Sequence, residues 1–189
     1  SDSAARYGRG CLRAMVCAPD DPRAVRRYRK AGFTLYPAMR LTGAVEDRTA
    51  LPDPGGIPVH PGNAHHRHLL DSVDRRLRGS AHGPDHEELL RHHRLLVVDT
   101  LVGSGYCYLR DGTVELLAAT SRRLATRLLT EALLLMPPGT PVEIGGLTAE
   151  QEWAVDVGLA AGLTVSTGGY VCLRGMRPPS PYIPSEAFL

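Results

Sequence analysis

The chain has 189 residues, of which 43% are hydrophobic and 22% charged, and its formal net charge is +2 at neutral pH. These proportions fit a globular protein with a buried core and exclude an intrinsically disordered chain. So small a net charge gives no bulk attraction to nucleic acid, and no apolar run reaches the roughly 18 residues that would span a bilayer. The basic residues are arginines except for Lys30, a skew that reads as genome composition. Four cysteines, Cys11, Cys17, Cys107 and Cys172, sit singly in apolar, strand-like runs with no C-x-x-C pair. They read as buried free thiols in a reducing, cytoplasmic setting. No secretory signal is visible. Residue 1 is not methionine, and residues 1–10 read as the last turns of a longer segment, so we expect truncation or processing at the N-terminus.

In chain order, residues 11–18 predict a short apolar strand. Pro19–Asp20–Asp21–Pro22 supplies a helix start, with a carboxylate at the cap and proline where a missing N–H costs nothing. Ala24, Val25, Tyr28 and Ala31 then share one side at helical spacing, and Arg23, Arg26, Arg27 and Lys30 hold much of the rest. Gly32 ends this helix, and residues 33–45 read as extended. Residues 47–56, dense in turn formers, predict a linker. A strand at 57–60 follows, then a helix over 63–78 with Leu69, Leu70, Val73 and Leu77 inward, and a second helix from Pro84. Strands are expected at 94–99, 105–110 and 113–120, with Asp111–Gly112 as a hairpin turn. Residues 121–136 form the most apolar helix, stopped by Pro137–Pro138–Gly139. A strand at 142–147, a helix at 149–161 and two strands within 163–174 complete the pattern. The tail, residues 177–189, holds four prolines and is expected to lie extended without forming an element. The fold class is α/β in an α+β layout: a mixed, mostly antiparallel central sheet flanked by helices.

An internal repeat runs through this pattern. Setting Asp21 against Gln151 aligns Ala24 with Ala154, Val25 with Val155, Ala31 with Ala161, Gly32 with Gly162 and Thr34 with Thr164. The surrounding element order matches as well. We therefore expect the C-terminal half of a first unit at 1–46, a linker at 47–56, a complete but degenerate second unit at 57–176, and a proline-rich tail at 177–189. Tyr28 in the first unit stands where Gly158 stands in the second.

The stretch Asp21-x-x-Ala24-x-x-x-Tyr28-x-Lys30-x-Gly32-Phe33 closely resembles the late helix motif of GNAT-superfamily acetyltransferases, which reads Asn-x-x-Ala-x-x-x-Tyr-x-Lys-x-Gly-Phe. Asp21 replaces the family's asparagine. The element order of residues 57–176 is similar to a full GNAT domain, and the two-copy plan is similar to the tandem GNAT architecture of mycothiol synthase. The resemblance implies acetyl-CoA as co-substrate, its thioester between two splayed strands and its pyrophosphate on the backbone N–H groups that open a helix. It implies Tyr28 as the general acid that protonates the departing thiolate, with Asp21, Ala24 and Arg27 beside the cofactor. A phenol of pKa about 10 stays protonated at neutral pH; passing its proton to a thiolate of pKa about 8.5 is uphill by roughly 2 kcal/mol, a gap that desolvation of the thiolate narrows. Packing against the apolar side of its own helix is the plainer role for Tyr28.

The phosphate loop of the second unit falls at Thr120–Ser121, with Thr120, Arg123 and Ala125 at the family's signature positions. Arg123 replaces a glycine there and makes the loop degenerate. The arginine-rich helix side lacks interleaved aromatics and reads as a solvated surface, with no nucleic acid and no membrane as partner. Among eight histidines, His82 and His86 are four apart, but Gly83–Pro84 breaks the helix that would aim both at one ion, so no metal is expected. Glu115 is expected to be a solvent-facing strand carboxylate, and Trp153 and Tyr170 to be core or interface anchors. The reading is an acetyl-CoA-dependent N-acyltransferase acting on the amine of a small molecule or a peptide N-terminus. The alternative is a non-catalytic GNAT-like ligand-binding or protein-interaction module. Half a sheet at 11–45 exposes a strand edge, so these residues are expected to pair with the second unit, with a missing N-terminal half, or with another copy in a homo-oligomer.

Overall fold

The structure, a computed structural model, describes residues 13–53 and 55–188. Cys11 and the readings of residues 1–12 lie outside the described residues. Strand β1 (Ala14–Ala18) leads into helix α1 (Pro22–Lys30) and strand β2 (Thr34–Gly43). The α1 start obeys the capping rule: Asp21 accepts from the Arg23 amide at 3.0 Å, and Pro22 occupies the first turn. Next come β3 (His60–Pro61), α2 (Arg67–Arg78) and α3 (Asp85–His92). The antiparallel strands β4 (Arg94–Thr100), β5 (Gly103–Arg110) and β6 (Thr113–Ala119) then precede α4 (Arg122–Leu135). The chain continues through β7 (Val142–Leu147), α5 (Glu152–Ala160), β8 (Thr164–Arg174) and β9 (Tyr182–Ile183). No helix among the described residues is long and apolar enough to cross a membrane.

One sheet runs in the order β1-β8-β2-β7-β6-β5-β4-β3, and β9 pairs with β6 off this path. Every pairing is antiparallel except β6 with β7. Both faces are covered, so β4 is apolar at successive positions rather than at alternate ones. Its Leu96 and Val98 face Leu128, Leu133, Trp153 and Val157 of α4 and α5. Its Leu95 and Val97 face Leu70, Val73 and Leu89 of α2 and α3. A smaller cluster joins Val16, Ala18, Phe33 and Cys172 with Tyr28 on α1.

The two strand–helix–strand stretches, β1-α1-β2 and β7-α5-β8, fold alike. Gly32 and Gly162 both adopt φ +86°, a left-handed helix ending that glycine alone adopts without strain. The same closing hydrogen bonds recur, Phe33 N to Tyr28 O at 3.0 Å and Leu163 N to Gly158 O at 2.9 Å. The two stretches are also interleaved. Strand β8 lies between β1 and β2, while β2 lies between β8 and β7. Thr34 pairs with Leu173 and Thr42 with Thr164, so each strand's start meets the other's end.

Several expectations need correction. Residues 163–174 form one strand, not two, because Gly168–Gly169 is not a hairpin turn. Gly169, at φ +68°, sits against the Ala18 carbonyl, and the irregularity opposite, between Pro37 and Met39, absorbs a proline that has no amide to donate. In the stretch read as a linker, Arg48 and Leu51 are tied to the body. Arg48 donates to the Leu134 and Met136 carbonyls at the end of α4, and Leu51 is buried. The tail does form an element, β9. Residues 14–43 share the second unit's sheet, as expected.

Candidate active site

Helix α1 carries Ala24, Arg27 and Tyr28, and Asp21 is its N-cap. Tyr28 is half-buried, edge-on to Phe33 with ring centroids 5.5 Å apart, and Arg27 lies 5.2 Å above its ring. Among the described residues its hydroxyl has no hydrogen-bond partner. Asp21 uses a carboxylate oxygen to cap the helix, Ala24 is half-buried and Arg27 is exposed. Beside them, β1 pairs with β8 alone among the described residues. Its outer side carries no described strand.

The corresponding place in the second half of the sheet lies between β6 and β7. These strands pair only at Thr113 with Glu143 and then separate, leaving a wedge that opens toward Ala119 and Leu147. The tail fills it. Leu117 pairs with Ile183 and Ala118 with Tyr182, and Tyr182 and Ile183 are both buried. Gln151 anchors this insertion: its side-chain nitrogen donates to the Pro179 carbonyl at 2.8 Å, and its oxygen accepts from the Tyr182 amide at 2.9 Å and from Trp153 Nε1 at 2.8 Å. Ser185 Oγ donates to Glu115 at 2.7 Å and accepts from the amides of Ala187 and Phe188. Glu115 is therefore not solvent-facing; its side chain is 18% exposed and holds the tail. Trp153 is buried, as expected of an anchor, and Tyr170 packs in the cluster that contains Tyr28.

The turn between β6 and α4 makes a poor anion cradle. Thr120 is tied to β5 by its amide, which donates to the Ser104 carbonyl, and by its hydroxyl, which accepts from the Ser104 amide. Ser121 Oγ caps Leu124 N at 3.3 Å. Ala125 is fully buried, and Arg123 is exposed beside Gly55. Pro52, Asp53, Gly55 and Ile57 lie at this end of α4, where Arg127 Nε donates to the Ile57 carbonyl at 2.9 Å.

A cleft of about 440 Å³ opens where β1, β2, β7 and β8 meet, with Cys17, Asp20, Arg40, Tyr170 and Glu186 in its wall. Tyr28 does not line it. Arg40 is committed to two carboxylates, Glu186 at 3.0 Å and Glu143. Burial pushes the Cys17 thiol up to about 12, and Glu186 adds to the effect. This thiol is protonated at neutral pH and is no nucleophile.

A buried polar cluster escaped the sequence reading. Asp74, His82 and His86 converge, all three fully or nearly fully buried. Gly83–Pro84 does break the helix, as expected, yet Gly83 at φ +59° turns His82 back toward the position that His86 occupies from the first turn of α3. The readable signal was Asp74 itself, which continues the inward stripe of Leu70, Val73 and Leu77 on α2. Burial raises the Asp74 carboxyl, but hydrogen bonds from His82, His86 and Tyr106 outweigh it and hold the group well below the usual carboxylate range. Burial lowers His82 and raises the phenols of Tyr106, Tyr108 and Tyr182.

A mixed sheet with helices on both faces, a wedge beside its one parallel pair and a strand–helix–strand unit carrying the Tyr28 motif define the acyltransferase fold of the GNAT proteins. No protein-family model matches the sequence, and no curated protein matches it. Among solved structures, the chain is similar to a protein of Pyrococcus horikoshii provisionally assigned as an acetyltransferase, with 18% identity and a TM-score of 0.66 over 93% of this chain and 60% of that one. It is also similar to a GCN5-related N-acetyltransferase from Kribbella flavida, with 13% identity and a TM-score of 0.54 over 89% of this chain and 44% of that one. The chain thus spans about half the length of these structures, and the likeness is one of fold.

Proposed function

We propose that the protein is an acetyl-CoA-dependent N-acyltransferase built from two interleaved GNAT-like units. Residues 1–46 belong to the catalytic unit, and residues 57–176 form a second unit that acts as scaffold. The observation that carries this reading is the reciprocal insertion of β8 between β1 and β2 and of β2 between β8 and β7, with a tyrosine on α1 where α5 has glycine. The acyl arm of the cofactor would run along the outer side of β1, the counterpart of the wedge between β6 and β7. In the second unit that wedge is already filled by Tyr182 and Ile183, which supports a scaffold role.

In the reaction, the neutral amine of a small molecule or a peptide N-terminus attacks the thioester carbonyl. The C–N bond forms, the C–S bond breaks, and Tyr28 gives its proton to the leaving thiolate while the ammonium proton passes to solvent. Asp21 starts the helix that presents Tyr28, and Ala24 and Arg27 flank the cofactor. The free thiols of Cys17, Cys107 and Cys172 support a cytoplasmic setting.

A non-catalytic ligand-binding or interaction module is the second reading, favoured by the filled wedge and by Arg123 in the phosphate loop. Calorimetric titration with acetyl-CoA combined with acetyl transfer to a panel of amines separates the two. The enzyme reading expects saturable binding at one site per chain and turnover that Tyr28→Phe removes. The absence of both binding and turnover leaves the module.

A further inference from the structure

We propose that Asp74, His82 and His86 are the core of a buried structural zinc site that fixes the loop between α2 and α3 to the sheet. His86 Nε2 lies 2.7 Å and His82 Nδ1 3.0 Å from the same oxygen, Asp74 Oδ2, and the three donor atoms lie within 4.8 Å of one another. Two imidazoles and a carboxylate are a zinc donor set. An ion about 2.0–2.1 Å from each donor needs neighbouring donors roughly 3.3 Å apart, so the two contacts to Asp74 Oδ2, at 2.7 and 3.0 Å, open by under about 1 Å to admit it.

Two observations favour an ion over a hydrogen-bonded core alone. First, His82 Nδ1 is buried and close to Oδ2, yet it is off the angle of a hydrogen bond and has no other partner. Second, the far atom of every donor residue is held by a phenol. Tyr106 donates to Asp74 Oδ1, Tyr108 Oη is 2.9 Å from His86 Nδ1, and Tyr182 Oη is 3.3 Å from His82 Nε2. Outer partners on each ligand fix ring orientation and tautomer, leaving His86 Nε2 and His82 Nδ1 as the coordinating atoms.

Asp71, one turn before Asp74, lies outside this group of three and would have to swing in to supply a fourth donor. Its Oδ1 is 4.0 Å from His86 Nε2 and is held by Arg67 at 3.3 Å. Its side chain is 19% exposed and marks the route of entry. Two carboxylates balance the ion, and they also offset Arg78, whose charge acts on His82 and Tyr182. With Asp71 swung in, four protein donors would leave no open position, which makes the ion structural rather than catalytic.

The test uses the untagged full chain, stripped with a chelator and titrated with cobalt(II) and then zinc. The expected result is one ion per chain, the visible spectrum of four-coordinate cobalt, displacement by zinc, and an unfolding midpoint that rises with zinc. Tyr108→Phe, which touches no ion, is expected to weaken affinity about 10- to 100-fold, and His86→Gln to abolish the spectrum. A His65→Gln variant is expected to change nothing. If His86→Gln does not fold, the wild-type spectrum and the Tyr108→Phe affinity still decide. No cobalt spectrum together with a zinc-insensitive midpoint overturns the proposal, as does a spectrum that Tyr108→Phe leaves untouched.

Discussion

Leu41 occupies the space that a side chain at residue 158 would need. A Cβ placed on Gly158 falls 2.5 Å from Leu41 Cδ1 and 2.7 Å from its Cδ2, and Leu41 is fully buried. Gly158 matches Tyr28 in the folding of the two stretches, and packing excludes an aromatic side chain at this position of α5. Glycine within α5 loses about 1 kcal/mol of helix propensity relative to alanine, which the close approach of α5 to β2 offsets. Gly158→Ala should therefore destabilise the protein by about 1–3 kcal/mol through overpacking, and adding Leu41→Val should recover part of that loss. Urea unfolding of both variants checks this; a Gly158→Ala protein more stable than wild type would show that the contact is slack.

Ser185 is the latch of the tail. It is 2% exposed, donates to Glu115 and accepts from two backbone amides. Ser185→Ala leaves a half-buried carboxylate without its donor and is expected to cost about 1–3 kcal/mol. Hydrogen exchange should report faster opening at Leu117 and Ala118, the residues that β9 covers. Unchanged exchange there would mean that β9 holds without the latch.

Cys17 lines an open cleft yet should be inert. With its thiol near 12, alkylation at pH 8 is expected to run about three orders of magnitude slower than for a free cysteine. Glu186→Gln removes the nearest contributing charge and should accelerate labelling of the Cys17 peptide, read by mass spectrometry. Labelling of native Cys17 at the rate of a model thiol would contradict the burial described here.

Local rules made much of this fold legible. The Asp21 cap, the Gly32 and Gly162 terminators and the apolar period of residues 121–136 are short-range signals, and the elements they predict are present. What stayed hidden depends on distant residues. A two-residue strand such as Tyr182–Ile183 has no periodicity to read, and its place beside β6 is set by Gln151 and Glu115. Gly168–Gly169 looks like a turn because the sequence does not show that Ala18 approaches there. The pairing of His82 with His86 was dismissed on helix geometry, whereas a left-handed Gly83 delivers it by another route.

The Tyr28 proposal rests on a hydroxyl that has no hydrogen-bond partner among the described residues. Acetyl transfer from acetyl-CoA to an amine acceptor, measured for the wild-type protein and for Tyr28→Phe, tests it most directly. The account predicts a fall in kcat of about 100-fold or more with acetyl-CoA affinity nearly unchanged, because the substitution removes only the proton and keeps the ring against Phe33. An unaltered kcat in Tyr28→Phe, or a wild-type protein that neither binds acetyl-CoA nor turns it over, would contradict it.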